Sequence, residues 1–401
     1  MKKRTVIIAA SLACAVVAIL GVVIGSLAGG EDRGAPAQPT QTTAATQATV
    51  AARPREETDI WISLPDESDP HWAKAGADLK MLLENLQYPV TLTYARGDAL
   101  EQADQMVYAI EQGADCLVIA AVDSTALYEA AQLAHQAQIP VVAYDRLLMD
   151  TQAVTYYVAY DYKAMGASIA KTIVTAKDLT ATQPQPCCTV EFFMGSPESS
   201  NALLLYQGIM EVLQPYLDSG VLVSRSGRTA FEDTCVVGWD PEGAGSALTS
   251  YLTEYYPEDV PDILCTVSDS FADACIRVLE ETGCTPENWP VITGLGDTET
   301  GRDHMAQGKQ TATVITDLME LNERCVQLVD DMLTGKTPEL NDTETCYNNV
   351  RVVPAYLCDF QTIMSAGGAG QHEETSEDTE DTADISPSSA TEDTTAAPQA
   401  T

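Results

Sequence analysis

The chain has 401 residues, 45% of them hydrophobic, which is enough for one large or two mid-sized globular domains and too apolar for a wholly disordered protein. Its 59 Asp and Glu against 21 Lys and Arg give a net charge of −38, which excludes a phosphate-binding surface and with it nucleic acid as a partner. Nine of the carboxylates, with no Lys or Arg among them, follow Gln371, and the rest of the chain stays acidic without them.

At the N-terminus, Lys2, Lys3 and Arg4 precede an uncharged apolar run from Val6 to Ala28, long enough to span a bilayer with the positive flank inside. Residues 1–28 are therefore either a signal peptide cleaved after Ser26-Leu27-Ala28 or a retained membrane anchor, and the length of the run favours the anchor. Lipidation at Cys14 is the weaker reading, because Ser11-Leu12-Ala13 lacks Leu at its first position and the run continues well past the cysteine. Residues 29–57, rich in Ala, Thr, Gln and Pro, and residues 365–401, rich in Gly, Ser, Thr, Glu and Asp, read as disordered spacer and acidic tail.

Between them, short apolar runs alternate with longer amphipathic ones, the sequence form of βαβ units and a mainly parallel sheet. Strands are predicted at residues 59–64, 90–94, 116–120, 141–144 and 155–160, then at 189–193, 222–226, 263–267, 291–294 and 311–315. Helices fit between, for example over 71–86, with Trp72, Ala75, Leu79, Leu82, Leu83 and Leu86 on one stripe, and over 124–138. About ten strands exceed one doubly wound layer. The expected fold is α/β with two doubly wound Rossmann-like lobes: residues 58–160 and 317–346 in lobe 1, residues 161–316 and 347–364 in lobe 2. Crossings near Tyr160-Asp161, Thr316-Asp317 and Cys346–Val350 then form a three-strand hinge. The eleven cysteines are scattered in apolar runs apart from Cys187-Cys188, so most read as buried small hydrophobes, with one or two bridges left open. No C-x-x-C spacing points to a zinc or redox site, and no cofactor or metal is expected.

In such folds ligands bind at the carboxyl ends of the strands, and those ends hold Ser68-Asp69-Pro70-His71-Trp72, Tyr144-Asp145-Arg146-Leu147, Gly195-Ser196-Pro197 continuing to Asn201-Ala202, Trp239-Asp240-Pro241, Ser268-Asp269 and Gly294-Leu295-Gly296-Asp297. In order and spacing these elements resemble the periplasmic sugar-binding proteins of the ribose/xylose type, closest to the branch that binds several monosaccharides for ABC importers, over about residues 58–360. The resemblance implies a periplasmic binding protein type I fold and a buried monosaccharide such as xylose, glucose or galactose. It also implies that Trp72 and Trp239 clamp the two faces of the sugar ring.

A buried neutral sugar needs apolar platforms for its C–H faces and a partner for every hydroxyl. Asp145 is expected to accept from two hydroxyls while Arg146 donates in a fork, each bond strengthened by charge, with Asn201, Asp269 and Asp297 completing the net and His71 a further contact. Each assignment has a plainer rival. Trp61 and Trp289 read as core, an Asp-Arg pair can be a surface ion pair, and Asp269 can cap a helix starting near Phe271. Against the family pattern, His71 stands where Arg is frequent, Gly294-Leu295-Gly296-Asp297 carries one residue more than Gly-Gln-Asp, and Thr316 replaces a Lys or Gln.

The function expected is that of an extracytoplasmic, monomeric solute-binding protein, anchored or secreted, that closes around a sugar and is read by an ABC permease. A chemoreceptor or sensor kinase is the alternative partner. A glycosidase would need two opposed carboxylates across one bond, and no nucleophile motif such as G-x-S-x-G is present, so no enzymatic activity is expected. A sugar-responsive repressor would need a basic helix-turn-helix where the export segment stands.

Overall fold

A computed structural model of the protein describes residues 53–180, 186 and 188–365. The segment 1–28, most of the spacer, the acidic tail beyond Ser365, and Cys14 and Cys187 lie outside the described residues. In chain order the elements are β1 (Ile60–Leu64), α1 (Pro70–Asn85), β2 (Val90–Tyr94), α2 (Ala99–Gln112), β3 (Cys116–Ile119), α3 (Tyr128–Gln136), β4 (Val141–Tyr144), β5 (Val154–Tyr160), α4 (Tyr162–Ala176), β6 (Cys188–Phe193), α5 (Ser200–Asp218) and β7 (Leu222–Val223). They continue with α6 (Phe231–Thr234), α7 (Pro241–Tyr255), β8 (Ile263–Thr266), α8 (Asp269–Glu281), β9 (Val291–Ile292), α9 (Glu299–Ala306), β10 (Ala312–Thr316), α10 (Leu318–Leu333), β11 (Ala355–Cys358) and β12 (Phe360–Met364).

Two sheets result. The first is a six-stranded parallel sheet in the order β11-β5-β4-β3-β1-β2. The second is parallel in the order β7-β6-β8-β9, and the Leu295–Val314 bridge joins it to the antiparallel pair β10-β12. Parallel strands need crossover helices that cover both faces, so their central members bury every side chain. Cys116 to Ile119 in β3 and Val141 to Tyr144 in β4 show this. The helix starts carry local signals: Asp69 caps α1 ahead of Pro70, and Asp98 caps α2, which ends at Gly113 with φ 87°.

One apolar cluster runs through the first sheet and on through α4, α5 and part of the second sheet, while α7 and α8 close a separate cluster on the other side of that sheet. The helices α4 and α5 meet backbone to backbone. A Cβ at Gly166 would lie 2.1 Å from the carbonyl oxygen of Leu205, and one at Gly208 would lie 1.9 Å from that of Lys163. Among the cysteines, Cys116, Cys265, Cys275, Cys325 and Cys358 are buried free thiols, and burial pushes Cys116 and Cys265 up to about 12.

The chain passes between the sheets at Asp161, at Asp317 and at Asp359. The third crossing corrects the expected position at Cys346–Val350: residues 355–358 form β11 beside β5 in the first sheet, so residues 347–358 belong with lobe 1 and only β12 returns to the second. Described residues ahead of Thr58 also pack on the folded body: Arg53 pairs with Asp115, and Arg55 donates to Asp330 at 2.7 and 3.0 Å. The helix expected over 124–138 starts at Tyr128, since the Asp123 carboxylate takes the backbone N–H groups of Thr125 and Ala126 in a turn.

Candidate functional site

The site is built around Asp145, just past the end of β4 and only 3% exposed. Its backbone sits in the left-handed region at φ 62°, its N–H donates to Val158 and its carbonyl accepts from the Tyr157 hydroxyl at 2.8 Å, so the residue is fixed from behind. At the side chain, Asn201 Nδ2 donates to Oδ1 at 2.8 Å, the Tyr162 hydroxyl donates to the same oxygen, and His71 Nε2 donates to Oδ2 at 3.3 Å. Burial alone would raise the Asp145 carboxyl. The His71 hydrogen bond and charge, the Tyr162 hydroxyl and the Arg146 charge outweigh it and hold the group below the usual carboxylate range.

Arg146 donates from Nη1 to the carbonyl of Ala121 at 3.0 Å and lays its guanidinium 5.0 Å from the centre of the Trp72 ring. Burial pushes it below its ordinary value against the pull of the Asp145 carboxylate. Trp72 is buried at 4% exposure, with its ring centre 4.7 Å from that of His71 in an edge-to-face contact. One face of the indole thus supports Arg146.

On the second sheet, the chain leaves β6 through Gly195 and Ser196. The Ser196 hydroxyl accepts the Gly238 N–H at 2.8 Å, which sets the turn that presents Trp239. That indole stacks on Phe271 at 6.0 Å and lies so close over Gly195 that a Cβ there would be 2.1 Å from the ring. Trp239 adopts φ 56°, an outlier for a bulky residue. Its indole N–H and the Asn201 Oδ1 are buried without a hydrogen-bond partner among the described residues. The two sides touch directly: Ser124 N donates to Glu198 O at 3.0 Å, Ser200 N to the Ser124 hydroxyl at 3.1 Å, and Leu147 N to the Ser200 hydroxyl at 3.1 Å.

His71, Asp145, Arg146 and Asn201 are therefore brought together with Trp72, and Trp239 is held separately at the end of β6 by Gly195 and Phe271. Asp269 and Asp297 are committed elsewhere. Asp269 accepts from Gln310 Nε2 at 2.8 Å and the Thr313 hydroxyl at 2.7 Å on Oδ1, and from the Thr298 N–H at 2.9 Å and hydroxyl at 3.3 Å on Oδ2, which fills a carboxylate. Nor does it cap α8: that helix starts at Asp269 itself and Ser268 is its cap. It pins the Gly294–Thr298 loop. Asp297 pairs with Arg302 at 2.9 Å on α9. The expectation that Asp145 is open to two hydroxyls is corrected as well, since protein donors already occupy both of its oxygens.

Tyr162, Ser124 and Ser200 were missed. Tyr162 stands two residues past the end of β5 and Ser124 follows β3, so both obey the strand-end rule, but neither sits in a motif that attracts attention alone. Among the described residues no cluster of His, Cys, Asp and Glu could hold a metal ion, and no helix is long and apolar enough to cross a membrane.

The sequence profile of the periplasmic binding protein domain matches residues 60–337, spanning both sheets. The chain belongs to this family. The binding protein is 32% identical over 300 residues to the multiple sugar-binding periplasmic receptor ChvE of Rhizobium radiobacter, covering 74% of this chain and 84% of that one. It is 28% identical over 311 residues to the D-xylose-binding periplasmic protein of Escherichia coli K12, covering 77% and 87%. Its structure resembles an ABC transporter solute-binding protein from Clostridium phytofermentans with bound β-D-glucose, at TM-score 0.72 and 30% identity, covering 77% of this chain and 95% of that one. The fold is the type I periplasmic binding protein fold.

Proposed function

We propose that this binding protein takes a single neutral monosaccharide between its lobes on the extracytoplasmic side of the membrane and presents it to an ABC permease. The observation that carries the reading is a set of buried polar groups with bonding capacity to spare. A buried, charged Asp145, the remaining donors of Arg146, and two buried polar atoms, Asn201 Oδ1 and Trp239 Nε1, stand at strand ends on either side of the lobe junction. Buried polar atoms without partners are rare in folded proteins. A polyol supplies what each lacks: a hydroxyl accepts from the indole N–H and donates to the amide oxygen.

In this reading Asp145, Arg146, His71 and Asn201 contact the sugar hydroxyls, Trp239 covers one ring face, and Trp72 acts partly through Arg146. Asp269 and Asp297 set the shape of the 294–298 loop. Closure is favoured because the sugar touches both lobes at once, shifting an open–closed equilibrium by its greater affinity for the closed form. The sugars printed for the relatives, xylose and glucose, define the class to try first. The permease is proposed from the relative described as an ABC transporter solute-binding protein. The run Val6–Ala28 would hold the protein at the membrane.

The test is titration of the purified protein with glucose, xylose, galactose, arabinose and ribose by calorimetry, with tryptophan emission followed in parallel. At least one sugar is expected to bind and to change the emission of the site tryptophans. Asp145→Ala is expected to weaken binding by roughly 100-fold, the scale of a buried charge-assisted network, with an unchanged far-ultraviolet spectrum. Sugar affinity indifferent to Asp145→Ala would remove the residue from the site.

A further inference from the structure

A carboxylate offers about four acceptor positions on its two oxygens. At Asp145, Tyr162 and Asn201 both donate to Oδ1 and His71 to Oδ2, so protein groups use three of them. We propose that Tyr162 is a positioning residue that sets sugar specificity: with Asn201 it saturates Oδ1, leaving Asp145 a single acceptor position on Oδ2, so that this corner of the site reads the orientation of one hydroxyl. The inference rests on the sugar-binding reading above and adds to it which stereochemical feature the site selects.

The geometry makes Tyr162 suited to the task. It is the first residue of α4, directly after the first crossing at Asp161, and is 8% exposed. Its ring is held edge-on to Tyr160 at 6.1 Å. The helix behind it is fixed against α5 by the close approaches at Gly166 and Gly208, and α5 begins with the Ser200-Asn201 pair that supplies the second donor to Oδ1. The Asp145 backbone is tied through Tyr157 and Val158, and Tyr162, Asn201 and His71 then fix the direction of its carboxylate. Burial and the Asp145 charge push the Tyr162 phenol well above its ordinary value, so it stays a donor across the working range of pH.

Removing the hydroxyl alone would free one position on Oδ1 and let the carboxylate accept from a hydroxyl of the other orientation. Wild type and Tyr162→Phe would be titrated calorimetrically with D-glucose, D-galactose, D-mannose, D-xylose and L-arabinose, and their thermal midpoints measured without sugar. The variant is expected to bind the preferred sugar about tenfold more weakly, the size of one hydrogen bond to a charged group. The affinity ratio between that sugar and its epimers should narrow by a similar factor, with the midpoint little changed. A wild type that discriminates and a variant with the same ratio would overturn the assignment while leaving the sugar-binding reading intact. A wild type that binds none of the five would overturn both.

Discussion

Trp239 shows how much local structure is spent on one side chain. A left-handed backbone at φ 56° costs an aromatic residue about 1–3 kcal/mol, and such strain persists only where its surroundings enforce it. Asp145 and Asp297 share the conformation, but a short polar residue tolerates it far better. What enforces it at Trp239 is the bond from Gly238 N–H to Ser196 and the seat made by Gly195 and Phe271. Since a Cβ at Gly195 would stand 2.1 Å from the indole, Gly195→Ala has to displace the ring. Overpacking of this kind costs about 1–3 kcal/mol, and sugar affinity is expected to fall roughly tenfold or more. Unchanged affinity in this variant would show that the indole does not touch ligand.

At the scale of elements, the segment just ahead of β1 is fastened to a distant helix. Arg55 forks onto Asp330 in α10, and the Tyr88 hydroxyl donates to the same carboxylate at 2.8 Å. Burial alone would raise the Asp330 carboxyl, but the bonds from Arg55 and Tyr88 and the charges of Arg55 and Lys336 hold it below its ordinary value. A carboxyl lowered in the folded state stabilises above its unfolded value, about 3.9, and that contribution disappears as pH falls through the folded value. With Arg55 partly exposed to solvent, the network is worth on the order of 1 kcal/mol. Asp330→Asn should therefore lower the thermal midpoint by roughly 2 °C at pH 7, with the gap to wild type closing below about pH 4. A gap that stays constant with pH would show that charge plays no part in the fastening.

For the whole molecule, the decisive feature is that single residues, Asp161, Asp317 and Asp359, carry the chain between the two sheets. Short connections of this kind permit rotation of one lobe against the other with little change inside either. Ser124 and Ser200 form hydrogen bonds between the two sides of that junction. Solution scattering is expected to show a smaller radius of gyration on addition of the preferred sugar, with no change in helix or strand content by circular dichroism. A radius insensitive to saturating sugar would count against hinge closure.

The amino-acid sequence alone determined the alternation of strands and helices and the doubly wound α/β class, because burial on both faces of a parallel strand leaves an unbroken apolar run such as Cys116-Leu117-Val118-Ile119. It also pointed to the first half of the candidate site, since Asp145 and Arg146 directly follow such a run. Pairing partners were decided only in three dimensions. The segment Ala355–Cys358 reads no differently from a strand of the other lobe, and its place beside β5 depends on contacts nearly two hundred residues away in the chain. The same holds for Asp269 and Asp145. A carboxylate at a strand end looks available in one dimension, but whether its lone pairs are open to ligand depends on which donors the fold brings to it: Gln310, Thr313 and Thr298 in one case, Tyr162, Asn201 and His71 in the other.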